Sequence, residues 1–415
     1  MGFTTTLVHS DREFGVEHGN LLKPIHPGVT YGYDDAQTLA RVFQGKEKGY
    51  TYGRQVNPTV EALEQKVTRM EGGLASIGFG TGMAAIGTLI FALLRRGDHL
   101  IASQFLFGNS ASLLESFSAH GIDVSFVDAT DAGNVAGVVR AETKMVFVET
   151  IANPRTQIAD LEGIGVVCRE AGLLYVVDNT LTSPYLFKPR GVGAGLVVNS
   201  LTKYIGGHGN ALGGSITEMG EFDWSKFENI YDQYRSGPAA MWGISQIKKK
   251  GLRDFGASLA ADAAHRLSTG CDTLALRLDR ACANAAALAK FFDEHESIET
   301  VYYPGLPGHP QFERAREQFL YPGAILSFEL ADGLDCFEML NRLQTVVKAT
   351  HLGDIRTLAL PVAHSIFYEI GAERRAAMGI RDNLIRVSVG IEDSDDLLQD
   401  FGQALSSDLS TDRKR

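Results

Sequence analysis

The chain has 415 residues, 44% of them hydrophobic and 21% charged, with a formal net charge of −11. That length exceeds one compact core and fits a large domain plus a smaller one. The acidic balance argues against nucleic acid or an anionic membrane as the main partner, because both require a basic surface. Cys168, Cys271, Cys282 and Cys336 show neither a CxxC pair nor metal-ligand spacing, so they read as reduced thiols of a cytoplasmic protein, with no metal expected.

The opening residues are polar and carry acids early, unlike a secretory leader. Residues 1–56 are rich in Gly, Tyr and His with little periodicity and read as an extended arm. A helix is predicted to start at Asn57-Pro58, where Asn caps free amides and Pro suits the first helical position. Val60, Leu63, Val67 and Met70 continue it at helical spacing. The apolar stretch Gly82–Leu94 is closed by Arg95 and Arg96. It falls short of the ~20 residues needed to span a bilayer and reads as a buried helix.

Short apolar runs then predict strands at His99–Ser103, Val124–Asp128, Met145–Glu149, Leu173–Asp178 and Leu196–Asn199. Runs this apolar suit strands covered on both faces, hence a mainly parallel α/β sheet. The polar, aromatic segment Glu221–Gly256 breaks the rhythm. A helix at Ala283–Glu294 leads to further strands at Ala324–Glu329 and Leu384–Val389, with a helix at Asp335–Leu343 between them. The division expected is an arm over 1–56, a large domain over 57–262 and a small domain over 263–415. The tail Ser406–Arg415 is polar and expected to fray.

Three segments carry chemistry. In Asn199-Ser200-Leu201-Thr202-Lys203-Tyr204-Ile205-Gly206-Gly207-His208-Gly209, an apolar strand ends in two hydroxyls and a lysine. Ligands of open α/β sheets sit beyond strand ends, and a neutral lysine there can form a Schiff base. A solvent-facing lysine has the same local pattern. Asp178 ends another apolar strand about 25 residues earlier. A carboxylate there can pair with the pyridine nitrogen of pyridoxal phosphate (PLP), although taken alone the residue is better read as a helix cap. Gly78-Phe79-Gly80-Thr81-Gly82-Met83 opens an apolar helix and suits an anion. It is a weak dinucleotide fingerprint, since no apolar strand clearly precedes it.

In this order, and above all in Ser200–Gly209, the chain resembles the Cys/Met-metabolism family of PLP enzymes, which includes cystathionine γ-synthase, the cystathionine lyases, methionine γ-lyase and the O-acylhomoserine sulfhydrylases. The resemblance runs from about residue 20 to residue 402. It implies fold type I: a large domain with a mainly parallel seven-stranded sheet, a smaller C-terminal α+β domain, and a dimer-based homotetramer whose arm contacts the neighbouring subunit. Lys203 resembles the Schiff-base lysine and proton shuttle, and Asp178 the pyridine-nitrogen partner. Thr180 is expected under the ring and Asn153 at the 3′-oxygen. Gly82, Met83, Ser200 and Thr202 match phosphate contacts. Tyr52 and Arg54 match a pair that reaches the neighbouring subunit's phosphate. Arg386 matches the arginine that grips the substrate carboxylate, a task suited to a guanidinium fork; on local pattern alone it would be a strand charge facing water.

Two departures bear on substrate. Phe107-Gly108-Asn109-Ser110 stands where most members have Tyr-Gly-Gly-Thr or Tyr-Gly-Cys-Thr. Phe107 can still stack on the cofactor but has no hydroxyl to protonate a thiolate leaving group; Asn109 follows in the substrate pocket. His351, in His351-Leu352-Gly353-Asp354-Ile355-Arg356, replaces an Asn at a position that faces substrate, where a His can bind carboxylate or act near neutral pH. The Pro-Ala-x-x-Thr-His of the family is eroded to Pro361-Val362-Ala363-His364-Ser365-Ile366. The expectation is therefore γ-substitution on an O-acylated homoserine with a thiol nucleophile, in the manner of cystathionine γ-synthase. The alternatives are an O-acylhomoserine sulfhydrylase, a methionine γ-lyase-like enzyme, and a γ-elimination that makes propargylglycine from a halogenated allylglycine. From a different class comes a PLP-binding regulator without turnover.

Overall fold

The computed structural model describes residues 1–13 and 15–406. Its larger sheet consists of β1 (Ala75–Phe79), β2 (His99–Ser103), β3 (Asp123–Val127), β4 (Thr143–Glu149), β5 (Leu174–Asp178), β6 (Leu196–Asn199) and β7 (Gly214–Glu218). The strands lie in the order β1-β7-β6-β5-β4-β2-β3. Pairings among β2 to β6 are parallel, whereas β7 runs antiparallel to β1 and β6. Alternate side chains of a strand leave on opposite faces, and both faces are covered. Val146 and Val148 of β4 enter one core, and Met145 and Phe147 enter the other. Tyr175 and Val177 of β5 oppose Leu174 and Val176 in the same way. This explains the continuous apolar runs in the sequence.

In this sheet β1 and β7 were not evident from the sequence. β1 precedes the glycine run Gly78–Ala85, contrary to the expectation that no strand does. Its sequence Ala-Ser-Ile-Gly-Phe has little β character, and pairing with β7 is what makes it a strand. The N-terminal segment is also not wholly extended. Helices at Phe3–Glu13 and Ala36–Phe43 interrupt it. The first seats Leu7 in the core beside Leu63, Val67 and Met70 and brings Asp11 to 3.7 Å from buried Lys66. Segment 221–256, where the sequence loses its rhythm, holds short 3₁₀ turns and a π-helical turn at Ile247–Leu252.

The helix predicted at Ala283–Glu294 is the second half of a 20-residue helix, Leu274–Asp293. Its first half gives Leu274, Leu278 and Cys282 to the core of the large sheet. Its second half gives Ala285, Leu288 and Phe292 to a separate core. That second core lies on a five-stranded sheet of β8 (Ile298–Tyr302), β9 (Ile325–Leu330), β10 (Val347–Lys348), β11 (Leu358–Pro361) and β12 (Leu384–Ser388), ordered β10-β11-β12-β9-β8. Burial raises the thiols of Cys168, Cys271 and Cys282 to about 12 and that of Cys336 to about 11. Among the described residues no helix is long and apolar enough to cross a membrane. The tail expectation lies, apart from Ser406, outside the described residues.

Candidate active site

Three parallel strands end side by side. β4 ends in Glu149, β5 in Asp178, and β6 in Asn199 with Ser200 following. Glu149 and Asp178 are direct partners in the register. The N-terminus of the helix Gly82–Leu93 joins this edge, capped by Thr81, whose hydroxyl accepts the Ala84 amide at 2.9 Å. Gly82 approaches the β6 edge so closely that a Cβ there would sit 2.9 Å from the Ser200 Cβ. The glycine is therefore required for close approach, not for turn geometry.

These elements line a cavity of about 770 Å³. Of the residues expected from the sequence, Gly82, Met83, Phe107, Asn109 and Asn153 lie on its wall, as do Asp178, Thr180, Ser200, Thr202, Lys203 and Arg386. His351 instead lines a neighbouring cavity that shares Thr202 and Leu212 with the first. Tyr52 and Arg54 take no part in either wall. Arg54 stacks over the Tyr52 ring at 5.3 Å and donates to the Arg253 carbonyl. Arg386, the strand charge expected to face water on local pattern, is only 1% exposed. It sits on β12, paired with β9 and β11 on either side, and its Nη2 donates to the carbonyl of His351 at 2.8 Å.

Burial sets the electrostatics. It brings the Lys203 amine down to about 8, with Arg386 adding to the effect. A neutral amine, the form that attacks a carbonyl, is then accessible near neutral pH. Burial, and then Lys203, hold His351 down to about 4. Its neutral ring lies with Nδ1 at 3.3 Å from Lys203 Nζ, and its Nε2 is buried without a partner. Asp178 is raised by burial, against the pull of the Thr180 amide that it accepts at 2.9 Å. Glu149 is raised by burial and by Asp178 beside it. Its Oε1 accepts the Phe107 amide at 3.0 Å, which fixes the start of the helix Gly108–Ser118.

Two acids here were missed by the sequence reading. Glu149 ends an apolar strand just as Asp178 does, so the same signal could have found it. Glu71 gives no such signal, because it closes a helix far from the motif. It is buried and accepts from Asn179 Nδ2 at 3.3 Å and Asn199 Nδ2 at 2.6 Å. Asn179 also accepts from Thr182, whose hydroxyl lies 2.9 Å from that of Thr150. A buried polar chain thus links the residues next to Glu149, Asp178 and Ser200 and holds three strand ends in register. The reading singled out Pro361–Ile366 as an eroded motif but not Tyr368 or Glu369 after it; His364, Ser365, Ile366, Tyr368 and Glu369 form a strap over 364–371 that lines the cavity from the C-terminal side.

The wall fits PLP. Glu149 Oε2, Asn153 Oδ1 and Arg386 Nε are buried there without partners, as expected where a polar ligand completes the hydrogen bonding. Gly82 leaves a cradle at a helix N-terminus suited to a phosphate.

Comparison with known proteins agrees. The family model "Cys/Met metabolism PLP-dependent enzyme" matches residues 4–406. An L-methionine gamma-lyase of Pseudomonas putida is 35% identical, with 98% of each chain covered. An O-acetyl-L-homoserine sulfhydrylase of Leptospira meyeri is 31% identical over 97% of this chain and 96% of its own. A Campylobacter jejuni crystal structure named for O-acetylhomoserine (thiol)-lyase superposes with a TM-score of 0.92 at 29% identity, covering 98% of this chain and 100% of that one. That protein carries N'-pyridoxyl-lysine-5'-monophosphate.

Proposed function

The chain belongs to the Cys/Met metabolism family of PLP-dependent enzymes, and from that premise we propose that it catalyses γ-substitution on an O-acylated homoserine, with a thiol as the incoming nucleophile. PLP is its cofactor. When bound, PLP supplies the electron sink for charge left at the substrate Cα. In this reading Lys203 would carry the cofactor and, as a free amine, would take the Cα proton. Asp178 would pair with the ring nitrogen and Asn153 would contact the 3′-oxygen, with Thr180 and Phe107 flanking the ring. Gly82, Met83, Ser200 and Thr202 hold the phosphate; the Thr202 hydroxyl already bridges Gly213, accepting its amide at 3.0 Å. Arg386 takes the α-carboxylate and Asn109 flanks the substrate. His351 acts from behind by accepting a hydrogen bond from Lys203 after that amine is released.

The observation that carries the choice of substrate is Phe107. It occupies the cavity wall without a hydroxyl, so a leaving group that needs no proton, such as a carboxylate, departs more readily than a thiolate. A second reading, γ-elimination, is favoured by the methionine γ-lyases among the relatives. Tyr52 and Arg54 lie off this chain's cavity, in a segment with exposed Leu21, Leu22, Val29 and Phe43. That supports an arm that completes a neighbouring subunit's site within a homotetramer.

The test is product analysis by mass spectrometry. Holoenzyme is given O-acetyl- and O-succinylhomoserine, with and without cysteine or sulfide. A thioether or homocysteine supports substitution. 2-Oxobutyrate alone moves the assignment to elimination. No reaction with either ester rejects an acylated homoserine as the substrate and turns the search to methionine and to halogenated amino acids.

A further inference from the structure

We propose that the strap 364–371 makes this enzyme selective for substrates whose γ-substituent carries no negative charge, with Glu369 as the specificity-determining residue. The inference rests on the γ-chemistry proposed above and narrows its substrate class.

The strap is a built wall. Phe367 is buried in an apolar cluster with Leu360, Val362 and Leu384, and its amide and that of Ser365 both donate to the Val362 carbonyl. Tyr368 is held through its carbonyl by Arg375 at 3.2 Å. Beyond it, Arg374 pairs with Glu115 on the helix Gly108–Ser118 that follows Phe107. The strap therefore spans from the small sheet to the Phe107 side of the cavity. Its Tyr368 and Glu369 both line the cavity and both are exposed. Glu369 has no ion-pair partner among the described residues.

The charges that face the cavity decide what fits there. Among the described residues the cationic side chains on its wall are Lys203 and Arg386. The first is committed to cofactor and proton transfer, the second to the α-carboxylate. His364 has its Nε2 on the Asp382 carbonyl at 3.2 Å and its ring on Phe337. Asp178 belongs to the cofactor ring, and Glu149 is favoured in its protonated form. The partner arginine expected from the arm, Arg54, is assigned to the phosphate. A second carboxylate on the substrate would thus find no free cation from this chain, and it would meet Glu369. Like charges brought together in a partly desolvated site discriminate strongly.

The test measures binding to the holoenzyme by the change in its visible absorption, using norvaline and 2-aminoadipate as probes, and sets it beside kcat/KM for O-acetyl- and O-succinylhomoserine. Wild type is expected to bind the neutral side chain at least about tenfold more tightly and to prefer the acetyl ester by a similar factor. Glu369→Lys is expected to close most of that gap by improving the anionic probe, and Glu369→Gln to close part of it. Equal binding of the two probes by wild type, or a ratio unchanged in Glu369→Lys, overturns the inference. Because the ratio is taken within one protein, a folding defect does not imitate the effect. If neither ester reacts while the binding ratio and its dependence on Glu369 hold, the γ-chemistry falls and the charge selectivity stands.

Discussion

The large sheet and the C-terminal segments each supply one wall of the cavity, and they hold their side chains differently. On the first wall, Glu149, Asp178 and Ser200 stand at the ends of strands buried on both faces, backed by the Glu71–Asn179–Asn199 chain. On the second, Thr350, Leu352 and the strap lie on connections between short strands, and Tyr368 is 67% exposed. Arg386 is the exception there, locked in the middle of its sheet. Cofactor chemistry needs fixed atoms, so it is built on rigid elements; substrate choice varies, so it is carried by loops on that scaffold.

This contrast predicts how the two walls respond to change. Lys203→Ala, at the cofactor wall, is expected to lower turnover by at least about a thousandfold and to abolish the visible absorption of bound cofactor. Appreciable residual activity would remove Lys203 from its role. Arg386→Leu is expected to raise KM by roughly a hundredfold with a smaller loss in kcat. A change confined to kcat would place Arg386 outside substrate binding.

Glu71→Leu touches neither ligand, yet it leaves the buried Asn199 amide without its acceptor and takes Glu71 from Asn179, which keeps the Phe187 carbonyl. A loss of about 3 kcal/mol in unfolding free energy is expected, with weakened cofactor affinity, read from denaturant titration and PLP binding. An unchanged midpoint would mean that the strand ends need no such brace. The rate at which apoprotein takes up PLP is expected to rise with pH through about 8, where Lys203 loses its proton. Arg386→Leu should move that rise to higher pH, since it deletes a neighbouring positive charge. A rate flat from about pH 6.5 to 9.5 would contradict a lysine poised there. The smallest effect is expected at His351. His351→Asn keeps an acceptor near Lys203 and should change kcat by less than about threefold, whereas His351→Leu should cost more.

Much of the first wall was legible. Asp178 and the Ser200–Lys203 segment end apolar runs, and the position of a strand end at a ligand site is a local property of a parallel sheet. Glu149 carried the same signal and went unread. β1 was missed because its short sequence becomes a strand only through β7. Of the arm helices, the first has few apolar residues and the second, Ala36–Phe43, is short and buries only Val42, so neither gives a sustained helical pattern. Little of the second wall was legible without the family resemblance. A basic residue in an apolar strand reads as solvent-facing until its neighbours are known, and Arg386 has strands on both sides.

The sequence by itself thus pointed to PLP chemistry through a lysine, an acid and a glycine run at strand ends and a helix start, patterns that are ambiguous one by one and gained their meaning from the family resemblance of the whole chain. Tertiary structure alone decided which acid sits beside Asp178, how Glu71 braces strands more than a hundred residues away, and that Tyr368 and Glu369 come to line the cavity. Each of these depends on side chains distant in sequence sharing one buried space, where burial and neighbouring charge act through distance in three dimensions and leave no periodic trace along the chain.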